Sequence, residues 1–196
     1  MKRRTILEAV VFLLLVSFGI ALRVHLQYLP NFAPVAALAL CAGYFFRSYG
    51  VAICAPLAIM LVSDFFIGGY NWYVMIVVYA MLALPVALRG LLRRHLKLGS
   101  RRTSAALTAV AGLLACSLVS SLLFFAVTNF PAWLLFGMYE PTAAGLANCY
   151  LHALPFFRYT LAGDMLFALV LFGGYALATN LGQVKEAGPQ LAVQSH

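Results

Sequence analysis

The feature that most limits what this chain can fold into is a run from Ile6 to Leu22 that carries one charged residue, Glu8, and stops at Arg23. A helix needs roughly 20 apolar residues to cross a bilayer's hydrocarbon core. Comparable stretches recur at about 49–66, 71–92, 103–127 and 158–181, and a shorter one lies at about 33–46. Across all 196 residues 64% are hydrophobic and 9% charged, against roughly 25% charged in a soluble domain. A water-soluble fold of this size could not hide so much apolar side chain. The expected fold is therefore all-α, a polytopic bundle of six transmembrane helices in one domain over residues 1–181. The first helix is read at about 5–26. The short second stretch predicts an irregular span shielded by its neighbours. Pro56 and Pro85 fall inside spans, where adjoining helices can accommodate a kink.

The ends of the chain fit this reading. Met1-Lys2-Arg3-Arg4 before an apolar run resembles a secretory leader, but the run is long and lacks a small-x-small cleavage site, so it reads as an uncleaved first span. Residues 182–196, from Gly182-Gln183-Val184-Lys185-Glu186 onward, read as a polar, disordered cytoplasmic tail.

The net charge of +8 is distributed for a membrane rather than for nucleic acid. Lys2, Arg3, Arg4, Arg47, Arg89, Arg93, Arg94, Lys97, Arg101, Arg102 and Lys185 all fall to one side of the expected spans. Only Arg23 and Arg158 fall to the other. That asymmetry places both termini in the cytoplasm of a cell (inner) membrane, with the basic loops against anionic membrane lipid. Nucleic acid is excluded as a partner on the same ground. Cys41, Cys54 and Cys116 lie in apolar spans and only Cys149 in an outer segment, so no disulfide framework is implied.

The outer connections have a different chemistry. Gln27-Tyr28-Leu29-Pro30-Asn31-Phe32, Gly68-Gly69-Tyr70-Asn71-Trp72 and the long stretch from Thr128 to Phe157 mix aromatics with amides. The last is too long and too apolar for a floppy loop. It predicts a lid along the outer rim, with Thr142 capping a short helix that Pro155 ends near Leu154. Asn148 and His152 would share one face of that helix.

Charged and polar groups in spans are costly and each needs a reason. Asp64 closes the third span and Asp164 lies about two turns into the sixth, with Arg23 and Arg158 at comparable depth. Arg158 and Asp164 are six apart and do not share a face, so pairing is expected across helices. Two readings stay open and are compatible: structural ion pairs that pin the bundle, or pocket groups joined by His25 and His152. Tyr28, Phe32, Tyr70, Trp72, Phe130, Trp133 and Tyr139 likewise suit either an interfacial belt or a pocket. Their mixture with Asn31, Asn71, Asn129 and Asn148 favours a pocket that stacks a flat ligand and hydrogen-bonds its edges. Glu8, one turn above Arg4, reads as a local pair without function.

The sequence contains no G-x-x-x-x-G-K-[ST], H-E-x-x-H, G-x-S-x-G or paired C-x-x-C motif. No cofactor or metal is implied, and the chain is not expected to be an enzyme. An intramembrane enzyme using Asp64 and Asp164 is the alternative, without a catalytic motif to support it. A non-transporting accessory subunit is another.

A resemblance is carried by Leu29-Pro30-Asn31-Phe32-Ala33-Pro34-Val35, the Ser63-Asp64 pair, Thr128-Asn129-Phe130-x-x-Trp133, Gly145-Leu146-x-Asn148-Cys149-Tyr150 and Leu154-Pro155-Phe156-Phe157. Over about residues 20–175 they resemble an uncharacterised family of small bacterial membrane proteins marked by an N-F-x-P-V segment. Its architecture is similar to the substrate-binding S components of energy-coupling-factor transporters. The resemblance implies six helices, outer loops that close over a vitamin-like small-molecule ligand, and a coupling membrane subunit with ATPases as partner. S components commonly carry A-x-x-x-A on the first helix for docking that subunit; Ser17-x-x-x-Ala21 stands here instead. The residues expected around the ligand are Arg23, His25, Asn31, Phe32, Asp64, Trp72, Asn129, Trp133, Asn148, His152, Arg158 and Asp164.

Overall fold

The computed structural model describes residues 2–29, 31–69, 71–96 and 103–193, and side chains within 5–29, 31–69, 71–94, 96 and 108–177. Pro30, Tyr70, Lys97, Arg101 and Arg102, and the side chains of Lys2, Arg3, Arg4 and Lys185, lie outside those limits. The described residues are all-helical, in the order α1 (Lys2–His25), α2 (Val35–Phe45), α3 (Tyr49–Ile67), α4 (Trp72–Ala83), a 3-10 segment (Leu84–Leu88), α5 (Arg89–His95), α6 (Thr103–Leu135) and α7 (Ala143–Val193). Caps set several of the starts. The Ser48 hydroxyl accepts from Val51 N–H at 3.4 Å, Asn71 Oδ1 from Tyr73 N–H at 3.1 Å, and Thr142 Oγ1 from Gly145 N–H at 3.0 Å.

Among the described residues five stretches are long and apolar enough to cross a membrane: Thr5–His25, Tyr49–Ile67, Trp72–Arg94, Thr108–Leu135 and Ala143–Leu177. Their outer faces carry large apolar side chains such as Leu14, Leu61, Phe65, Ile76 and Leu177, each more than half exposed. An apolar exterior of that extent belongs to a membrane-embedded protein. The expected count of six spanning helices is corrected in one respect. α2 has only 11 residues, about 16 Å of helix, roughly half the thickness of a bilayer core.

What α2 lacks in length it makes up in position. It touches every other helix of the bundle and the 3-10 segment. Val35, Leu38, Ala39 and Ala42 pack with Val16 of α1, Ala52, Ala55 and Ile59 of α3, and Val86. The opposite face, Ala37, Leu40 and Cys41, packs with Leu92, Leu113, Cys116, Ala168 and Phe172. α2 is apolar all round, and protein rather than lipid buries it on every side from Val35 to Gly43. Two glycines let neighbours approach it. A Cβ on Gly43 would meet the backbone of Val86 at 3.2 Å, and one on Gly163 of α7 would meet the Phe32 ring at 3.2 Å. At its far end Arg93 donates from Nε to the Tyr44 carbonyl (3.0 Å) and from Nη2 to the Phe46 carbonyl (2.7 Å). Arg89 Nη2 adds a bond to the Arg47 carbonyl at 2.8 Å. These basic residues therefore satisfy carbonyls around α2's end.

The region 128–157 departs most from expectation. It is neither a lid nor a separate short helix. α6 continues through Pro131 to Leu135, and α7 begins at Ala143 and runs through Pro155, so the two form a hairpin joined by residues 136–142. Each proline removes one backbone donor, but continuing the helix keeps the remaining backbone groups satisfied internally, and this weighs more in apolar surroundings than in water. Gly145 fits close under the turn: a Cβ there would collide with the Glu140 carbonyl oxygen. At its other end α7 continues to Val193, so the polar stretch from Gly182 is helical as far as that residue.

Candidate functional site

Between the end of α1, the segment before α2 and the α6–α7 hairpin lies a cavity of about 390 Å³. α1 contributes Arg23, and the connection to α2 contributes Gln27, Asn31 and Phe32. α6 contributes Phe124, Phe125, Thr128 and Asn129, while α7 contributes Ala153, Phe156, Phe157, Thr160 and Asp164. Met60 and Ile67 of α3 and Val78 and Leu82 of α4 help close it. The connection is shaped locally by Asn31, whose φ of 60° is the left-handed conformation that Asn tolerates better than most residues.

One wall is an ion-paired cluster. Arg23 Nη1 donates to Asp64 Oδ1 at 2.5 Å and also to the Ser63 hydroxyl. Tyr79 OH donates to the other carboxylate oxygen at 2.7 Å. Both oxygens of Asp64 are thus engaged, its side chain is 5% exposed, and it stands behind Arg23 rather than on the cavity surface. Pairing does cross helices, α1 to α3.

The opposite wall holds Asp164, which is 4% exposed and accepts from the Ser121 hydroxyl of α6 at 2.6 Å. Ser121 is itself fully buried. No cation among the described residues pairs with Asp164. Three neutral polar groups between the walls each direct a hydrogen into their own helix. Thr128 Oγ1 donates to the Phe124 carbonyl at 2.7 Å, Asn129 Nδ2 to that of Phe125 at 2.8 Å, and Thr160 Oγ1 to that of Phe156 at 3.3 Å.

Of the twelve residues expected around a ligand, the structure brings Arg23, Asn31, Phe32, Asn129 and Asp164 to this cavity, with Asp64 one contact behind. The other six lie elsewhere. His25 borders a separate shallow groove with Tyr28 and Phe66. Trp72 is exposed and stacks on Tyr73 at 3.5 Å. Trp133 donates to the Glu140 carbonyl at 2.9 Å, which ties the hairpin turn. Asn148 and His152 do share a face, but it is the exposed face of the hairpin, where His152 Nδ1 lies 2.7 Å from the Asn148 carbonyl. Arg158 is exposed, 5.0 Å from the centre of the Tyr159 ring, and pairs with no carboxylate among the described residues. Trp133, Asn148 and His152 sit outside because 128–157 stands as a hairpin instead of folding over the bundle.

Tyr79 and Ser121 were not anticipated. Ser117, Ser120 and Ser121 interrupt an apolar helix at i, i+3 and i+4, a polar stripe that points inward; Tyr79 carries no comparable sequence signal. Among the described residues no group of three His, Cys, Asp or Glu could hold a metal ion. Neither the curated proteins nor the solved structures offer a match. The family comparison does: its match covers residues 3–187, nearly the whole bundle, and the chain belongs to DUF6580, a family of unknown function.

Proposed function

We propose that this chain is the membrane-embedded capture component of an uptake system, taking a vitamin-like small molecule into the cavity between Arg23 and Asp164. The observation that carries this reading is the cavity itself. At about 390 Å³ it has the size and the make-up, aromatic walls with a few convergent polar groups, of a small-molecule site. On this reading the chain crosses a cell (inner) membrane six times, as S components do, with α2 and the segment before it making the short crossing and both termini in the cytoplasm. The protein performs no chemistry on its ligand. Asp64, with both oxygens occupied, is a poor acid or base, which weakens the alternative of an intramembrane enzyme. A coupling membrane subunit with ATPases would supply the energy. Ser17 and Ala21 lie on the exposed face of α1, where such a subunit could pack.

The test is native mass spectrometry of protein purified gently from its own membranes. A reproducible small-molecule adduct is expected, reduced by Asn129→Ala and unaffected by Asn148→Ala, because only the first residue lines the cavity. Absence of any adduct, together with no thermal stabilisation across a vitamin and precursor panel, would favour the accessory-subunit alternative.

A further inference from the structure

Three polar side chains of the cavity commit a hydrogen to their own helices. The hydroxyls of Thr128 and Thr160 and one amide N–H of Asn129 donate to main-chain carbonyls of their own helices. The two threonines have only lone pairs left for an occupant, and Asn129 keeps its carbonyl oxygen and one N–H. The charges lean the same way. Arg23 is balanced by Asp64, whereas Asp164 has only Ser121, a neutral donor. A buried carboxylate without a counter-charge is costly in apolar surroundings, and a bound cation would supply what the protein does not. Phe32, Phe125, Phe156 and Phe157 surround these acceptors, and aromatic faces attract a flat cation.

We infer that the cavity selects a flat organic cation bearing N–H donors, with its charged end on Asp164 and its ring among the phenylalanines. The inference rests on the capture reading above and narrows it to a ligand class. Asp164 is the anchoring group. Ser121 is a positioning residue that holds one carboxylate oxygen and leaves the other for the ligand. Arg23 marks the opposite end, its charge already committed, so an anionic ligand finds no free counter-charge there.

Three probes of nearly identical shape separate charge from fit: 2-naphthamidine, which is a cation, neutral 2-naphthamide and anionic 2-naphthoate. Binding is measured by titration calorimetry on the full chain in nanodiscs of zwitterionic lipid, which keeps cations from accumulating on the bilayer. The amidine is expected to bind at least tenfold more tightly than either partner. Asp164→Asn, which preserves shape and the Ser121 contact, is expected to remove that preference. Ser121→Ala keeps the charge and should weaken amidine binding several-fold, so the role of the carboxylate stays testable if the first variant folds poorly. Amide or naphthoate binding as well as the amidine would overturn the cation assignment while leaving the capture reading standing. The same follows if the co-purified molecule is neutral or anionic. If none of the three probes binds and no molecule co-purifies, both readings fall.

Discussion

At the scale of single residues, the Arg23–Asp64–Tyr79 cluster shows how a buried charge is accommodated. Asp64 accepts from Arg23 on one oxygen and from Tyr79 on the other. Removing the cation alone strands a carboxylate that is almost wholly enclosed. Arg23→Ala should therefore destabilise the bundle by about 3 kcal/mol, the lower end for breaking a buried pair because Arg23 keeps some access to solvent. The double variant Arg23→Met with Asp64→Leu should recover most of that loss. Denaturant unfolding of the four proteins in a mutant cycle checks it; a double variant as unstable as the sum of the two singles would mean the pair does not act as a unit. Sequence made part of this visible. Charges in apolar spans announce themselves, and the six-residue spacing of Arg158 and Asp164 pointed to pairing between helices. It did not identify the partners, because Arg23 and Asp64 are joined by the packing of α1 on α3 and not by any local pattern. Ser121 was harder still, since a serine in a span reads as a small packing residue until the carboxylate opposite it is known.

At the scale of elements, the informative failure is 128–157. Pro131, Pro155 and Gly145 would break helices in water, and a density of Asn, Gly and aromatics ordinarily signals a loop. Inside an apolar bundle the cost of unpaired backbone reverses that reading. The hairpin is tied across its two helical arms: Tyr150 OH donates to the Ala126 carbonyl at 2.5 Å, Phe125 packs on Phe157 at 4.8 Å, and Trp133 closes the turn. Amides of 132–135 and 146–154 should consequently exchange slowly with deuterium, at rates typical of folded helix. Exchange within seconds across both stretches would restore a mobile lid. The same reasoning applies at the far end of α2. Arg93 reaches two carbonyls with two different nitrogens, a geometry lysine cannot copy. Arg93→Ala should lower stability by about 1 kcal/mol, and Arg93→Lys should restore little of it. Full rescue by lysine in the same unfolding assay would show that charge alone matters there.

At the scale of the whole molecule, the question is how a chain with five helices of spanning length is threaded. α1 and α3 finish together, since Arg23 and Asp64 are in contact. α3 starts at the other end of the bundle, beside Arg89, which lies 4.9 Å from the centre of the Tyr49 ring. Two spans that finish on the same side can follow one another only if the chain returns between them. On the proposed reading residues 26–48 make that return, and α2 is the only helix among their described residues. Its short length is tolerable because its neighbours, and not lipid, surround it. On the six-crossing reading proposed above, Arg47, Arg89 and Arg93 share one side and the α6–α7 turn lies on the other. Thiol labelling decides the matter in a background where the exposed Cys54 is replaced by Ala. Met138→Cys, in the hairpin turn, should react with an impermeant maleimide on intact cells. Arg47→Cys should react only after permeabilisation. If α2 failed to cross, both results would invert, because every later segment would change sides, and the cavity between Arg23 and Asp164 would then have no access from outside.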